Sequence, residues 1–208
     1  MGLVHGLAWT SAGGEVLDVE CSAVPGTGKL ELTGNLGSVM KESCHAAVTY
    51  IRSRTGSLGI DPDFYKNTDI HLHFPEGAVP KDGPSAGAAI CLCVVSALTG
   101  RAVRSDVAMS GEITLTGRVL AIGGIQEKSM AALRNGIPHV LLPEDNVPDL
   151  DEIDPNVKNA LEFTAVSHMD QVLEEALRPA PEKTALTQEQ KSDALPREES
   201  ARGACISQ

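Results

Sequence analysis

Between Asp82 and Arg101 the sequence reads GPSAGAAICLCVVSALTG, a stretch without a single charge. Pro84 suits the start of a helix, where its missing N–H removes no hydrogen bond, and Gly100 suits the end. The spacing predicts a helix over residues 84–98, rich in alanine and apolar on every side. Its apolar part, residues 86–98, is too short to cross a bilayer. Such a helix has to be wrapped by other elements, so the rest of the chain must supply a core around it.

The flanking sequence supplies that cover by alternating strand and helix patterns. Residues 3–10 and 14–24 read as strands around a Gly13-Gly14 turn, and residues 29–33 as a third short strand. Residues 39–54 place Val39, Ala46, Ala47, Tyr50 and Ile51 at helical spacing, with Ser38 as cap. Pro62 starts a helical turn or a short connector. Residues 70–74, 107–109, 118–122, 140–142 and 161–166 read as strands, the third and second lying around an excursion at residues 111–117. Residues 125–134 and 169–177 read as helices, the first closed by Gly136. Paired strands mixed with crossover helices give an α+β class, with α/β as the neighbouring possibility and one hydrophobic core.

Composition narrows the chemistry. Of 208 residues, 17 are basic and 28 acidic, a formal charge of −11. That excess argues against nucleic acid as a partner, and 3% aromatic content argues against a base-stacking platform or a carbohydrate cleft. Residues 178–208 are polar, contain three prolines, lack apolar periodicity and balance five basic against five acidic groups. They read as a disordered tail, leaving residues 1–177 as the folded domain with the whole net charge. Five cysteines, an odd number without a disulfide framework, fit a reducing compartment. No secretory signal, membrane span or zinc spacing is present.

Several short motifs invite a chemical reading. Gly26-Thr27-Gly28-Lys29 suggests a phosphate loop, but that pattern needs glycine at position 23 and a hydroxyl at position 30, where Ala23 and Leu30 stand. A hairpin turn is the better reading. His71 and His73 share one strand face and would begin a metal site only with help from Glu76 or Asp82. A packed strand is the alternative. Ser85, beside the start of the small-residue helix, is placed either as a nucleophile near free N–H groups or as an ordinary cap. Lys128, on the apolar flank of the helix after Gly123-Gly124, reads either as a desolvated base or as a surface lysine paired with Glu127. No serine elbow or persuasive Ser-His-Asp set accompanies His5, His45, His139 or His168. The acidic run from Glu144 to Asp154 reads as a solvated face with capping roles, or as a surface for partner docking or exclusion of acidic substrates.

Taken together, these segments resemble the proteolytic domain of the Lon ATP-dependent proteases of the bacterial and mitochondrial type. The matching stretches are residues 6–10, 32–37, 39–43, 71–87, 111–115, 117–120, 122–134 and 142–144, with Asn146. The resemblance implies a fold like the second domain of ribosomal protein S5, a serine-lysine endopeptidase, Ser85 as nucleophile and Lys128 as general base. It implies supporting roles for Asp82, as a gate or orienting carboxylate, and for Ser110, which stands where threonine is usual and holds the lysine. Glu112 and Thr114 are lesser supporting positions, and Gln126 replaces a frequent lysine. It further implies no cofactor or metal in this domain, with ATP and magnesium bound by an ATPase module that 208 residues are too few to contain. Partners would be unfolded, damaged or regulatory protein substrates and further copies in a hexameric ring, with neither membrane nor nucleic acid. The compartment would be the bacterial cytoplasm, or alternatively the mitochondrial matrix. An inactive binding or assembly module on the same fold is the competing function.

Overall fold

The computed structural model describes residues 2–10 and 13–179. Apart from Arg178 and Pro179, the expected tail lies outside the described residues. β1 (Leu3–Thr10) and β2 (Gly13–Pro25) form an antiparallel hairpin with Thr10 opposite Gly13. The turn leaving β2 folds onto a carboxylate: Asp69 accepts the N–H of Thr27 at 2.7 Å and of Lys29 at 2.8 Å. The N–H cluster that a phosphate loop would offer its ligand is thus filled by the chain's own acid. Those N–H groups hold the Asp69 carboxyl below its ordinary range.

β3 (Leu30–Thr33) leads through a tight loop into α1 (Ser38–Ser53), followed by the short helices α2 (Thr55–Leu58) and α3 (Phe64–Asn67) and by β4 (Thr68–His73). The charge-free helix is α4 (Gly87–Thr99), ended by Gly100 in the left-handed conformation at φ 67°. β5 (Val107–Met109) precedes a small hairpin of β6 (Glu112–Ile113) and β7 (Val119–Leu120). Next come α5 (Ile125–Arg134), β8 (His139–Pro143), a 3₁₀ helix (Glu144–Asp151), α6 (Pro155–Ala160), β9 (Glu162–Val166) and α7 (Met169–Ala176). Seven strands join in the order β3-β4-β2-β1-β5-β8-β9. β1, β2 and β4 pair antiparallel, while β3 with β4 and all pairs from β1 to β9 are parallel. The mixed sheet agrees with the α+β expectation.

The sheet is covered on both faces, so one expected core becomes two clusters. Strand alternation sends Val4, Val107, Met109 and Leu141 to the cluster with α1, α4 and α7, and Leu7, Ala108, Val140 and Leu142 to the cluster with α5. α4 is apolar all round because strands, α1 and α7 surround it. No helix among the described residues is long and apolar enough to cross a membrane. Cys44, Cys91 and Cys93 are free and buried; burial pushes the Cys44 thiol up to about 12, so it is inert.

Three local expectations are corrected. α4 begins at Gly87, not Pro84, because residues 84–86 form a turn in which Gly87 N–H donates to the Pro84 carbonyl at 3.1 Å. Ser38 does not cap α1; Asp82, distant in sequence, accepts the Met40 N–H at 3.0 Å instead. The expected strand at residues 118–122 shortens to Val119–Leu120, since the chain then turns through the loop that leads into α5. The acidic run, given no regular structure from sequence, folds into a 3₁₀ helix and ends at Asp154, which caps α6 by accepting the Asn156 N–H at 2.7 Å. Leu92, fully enclosed in α4, tests the wrapped helix. We expect Leu92→Ala to lower unfolding free energy by about 2–5 kcal/mol in urea titration; a loss below about 1 kcal/mol would contradict the packing described.

Candidate active site

A cleft of about 770 Å³ opens between the loop preceding α4 and the start of α5. Ser85, Lys128, Asp82 and Glu112 all line it. Ser85 sits in the turn before α4, just after Gly83, which takes φ 114°. Its carbonyl accepts the Gly111 N–H at 2.8 Å, and Ala88 N–H donates to the Gly111 carbonyl at 2.9 Å. The Ser85 turn is therefore stitched to the end of β5 on both sides. Of the N–H groups expected to be free at the head of α4, those of Gly87 and Ala88 are already engaged.

Lys128 lies inside α5 and is only 4% exposed, which rules out a surface lysine paired with Glu127. Its Nζ donates to Ser110 Oγ at 3.0 Å. Burial lowers its pKa from 10.5 to about 8, opposed by the nearby Glu127 charge. The burial depends on close approach of β2: a Cβ on Gly14 would lie 1.9 Å from the Glu127 carbonyl oxygen. Ser110, itself buried, places its hydroxyl 3.2 Å from the Ser85 carbonyl and 3.3 Å from that of Leu7. One hydroxyl hydrogen serves either carbonyl while the oxygen accepts from Lys128. Ser110 thus bridges the amine to the Ser85 backbone. No hydrogen bond joins Lys128 Nζ to Ser85 Oγ among the described residues.

The other expected positions separate. Asp82 accepts from Met40 N–H and, at 2.9 Å, from Gly83 N–H, contacts that hold its carboxyl below the ordinary range. It fastens the Ser85 loop to α1, and Gly37 leaves it room, since a Cβ there would lie 2.2 Å from Asp82 Cγ. Glu112 reaches the cleft from β6. Thr114 does not line it; its Oγ1 bonds Thr116 Oγ1 at 2.9 Å and the Arg118 N–H at 3.1 Å within the β6–β7 turn. His71 and His73 share Thr33 Oγ1 at 2.8 and 2.7 Å, and no group of three metal-binding side chains forms among the described residues.

Two residues that received no role from the sequence shape the cleft. Trp9, 60% exposed, forms one wall. Asn146, buried, mimics a strand partner: it accepts the Ile122 N–H at 2.9 Å and donates to the Ile122 carbonyl at 2.8 Å. This fixes the loop leading into α5. A lone tryptophan inside a strand and an asparagine after Leu-Pro-Glu were visible signals of kind, not of place. Asn146→Ala would strand both Ile122 groups, and we expect a loss of about 1–3 kcal/mol by urea titration. For Lys128 the sign follows from linkage. Between about pH 8 and 10.5 the unfolded chain binds more protons, so stability rises with pH across that window. Lys128→Met should be more stable than the parent at pH 7 by on the order of 2–3 kcal/mol. Its advantage should vanish above about pH 10.5 in melts followed by circular dichroism.

Comparison with known proteins places this geometry. The sequence profile of the Lon protease (S16) C-terminal proteolytic domain matches residues 1–179. The chain is 55% identical over 203 residues to a Lon protease of Azorhizobium caulinodans, covering 98% of this chain and 24% of that protein. It is 59% identical over 177 residues to Lon protease 2 of Desulfotalea psychrophila, covering 85% of this chain and 23% of the relative. A Lon protease of Clostridioides difficile is 58% identical over 177 residues, with 85% and 22% covered. The chain spans about a quarter of the length of these curated relatives. A cleft holding a loop serine and a buried lysine, in a chain matched by that profile from its first residue to Pro179, belongs to the Lon protease C-terminal proteolytic domain family.

Proposed function

We propose that this chain is the peptide-cutting domain of an ATP-dependent serine protease, with Ser85 as nucleophile and Lys128 as general base. The observation that carries the reading is the buried Lys128 amine, whose pKa near 8 leaves a useful neutral fraction at neutral pH. A neutral amine accepts the Ser85 proton as the oxygen attacks a peptide carbonyl. The ammonium then returns that proton to the leaving amine, and the freed base activates water against the ester. N–H groups in the Ser85 turn are the candidates to hold the oxyanion. Ser110 is the positioning residue for Lys128, and Asp82 holds the loop. For proton transfer the Ser85 hydroxyl must swing within hydrogen-bond reach of Lys128 Nζ, a movement of side chain or loop.

The remaining expectations belong to the same reading. The fold is of the ribosomal protein S5 domain 2 type. ATP and magnesium act in a separate ATPase module; in this chain the glycine-rich turn before β3 is already occupied by Asp69. Substrates are unfolded, damaged or regulatory proteins, the assembly is a hexameric ring, and the compartment is the bacterial cytoplasm. A second reading, an inactive assembly module, is favoured by one observation: Lys128 Nζ is bonded to Ser110 rather than Ser85. Peptide cleavage by the full-length protein, with and without ATP, separates the two. We expect Ser85→Ala and Lys128→Met each to lower kcat by about 10³-fold or more while leaving the circular dichroism spectrum unchanged. The parent rate should climb as pH rises through about 8, where Lys128 loses its proton. Full turnover in Ser85→Ala would end the peptidase reading, and a silent full-length protein would favour the assembly module.

A further inference from the structure

The cleft carries charge of one sign. Five carboxylates line it, Asp82, Glu112, Glu127, Asp149 and Glu152, against one basic group, Lys128. They arrive from the Ser85 loop, β6, α5 and the end of the 3₁₀ helix. Asp82 is engaged with backbone N–H groups and Asp149 accepts the Asn146 amide at 2.6 Å. Glu112, Glu127 and Glu152 have no cation within ion-pair distance among the described residues. Elsewhere several surface cations do find carboxylates, Arg54 with Asp170, Arg104 with Asp106 and Lys158 with Asp151. Of the acidic run, Asp149 and Glu152 reach the cleft, while Glu144 and Asp145 do not line it. The walls between the carboxylates are apolar, built from Trp9, Met40, Ile122 and Ile125.

A concave surface of one charge sign with apolar walls focuses its field into the cavity. Only the neutral form of Lys128 is competent as a base, and in that form one amine leaves the five carboxylates without an offsetting charge in the cleft. We propose that this cleft selects peptide segments carrying lysine or arginine beside the scissile bond and rejects aspartate and glutamate. Glu112, Glu127 and Glu152 are the specificity-determining residues. The inference rests on the peptidase reading above and adds the substrate class. A basic side chain entering the cleft meets unpaired carboxylates; an acidic one meets repulsion and loses water without gaining a partner.

The test uses three fluorogenic peptides identical but for lysine, glutamine or glutamate within two residues of the cleaved bond, with the full-length protein and ATP. We expect kcat/KM in the order lysine, glutamine, glutamate, with about tenfold between the extremes at low ionic strength and about twofold in high salt. The double variant Glu127→Gln/Glu152→Gln should compress the lysine-to-glutamate ratio to about threefold. Equal rates, a glutamate preference, or a ratio indifferent to salt would overturn the charge selection and leave the peptidase reading standing. If no peptide is cut, the peptidase reading fails. The charge selection is then decided by fluorescence anisotropy of the same peptides on Ser85→Ala. Tighter, salt-sensitive binding of the lysine peptide supports it, and equal affinities overturn it.

Discussion

A lysine residue only 4% exposed has to shed its proton readily or be surrounded by acceptors, and the fold offers Lys128 one hydroxyl. The surrounding architecture serves that burial. β2 can lie against α5 because Gly14 has no side chain to strike the Glu127 carbonyl. Asn146 fixes the loop from which α5 starts, and Ser110, at the end of β5, receives the amine. The same hydroxyl reaches the Ser85 carbonyl, so the base and the nucleophile's backbone share one polar anchor. Disturbing any of these contacts changes the solvation of Lys128 and therefore its proton affinity.

Carboxylates organise the loops in a related way. Asp69 fills the turn before β3, and Asp82 supplies the N-terminus of α1 with the acceptor that its own sequence lacks. Both are short side chains that collect backbone N–H groups, and both are held ionised by them. In Asp82 this fastening has a consequence for chemistry, because Gly83, Pro84 and Ser85 follow it directly. Three acids without such partners, Glu112, Glu127 and Glu152, line the cleft, where their charge is available to a substrate.

Much of the architecture was legible from periodicity. The 16-residue helix α1, the helix α5 and the β1–β2 hairpin fall within a residue or two of the expected bounds. The start of α4 was not, since the Ser85 turn is decided by bonds to Gly111 that lie 26 residues away in sequence. The helix α6 was not legible either, because it spans six residues and buries only Val157. Among the supporting positions, Glu112 reaches the cleft and Thr114 does not, a distinction that turns on which way a two-residue strand enters its hairpin.

The sequence by itself determined the apolar helix and the alternation of its neighbours, because these are properties of spacing and composition that local geometry reads directly. Resemblance to a known family, rather than spacing, singled out Ser85 and Lys128. Only the tertiary structure decided that Lys128 is buried rather than paired with Glu127, that Asp82 caps a distant helix, and that scattered acids face a single cleft. Solvation and charge proximity depend on distances through space between residues far apart in the chain, and those distances exist only once the sheet and helices have packed.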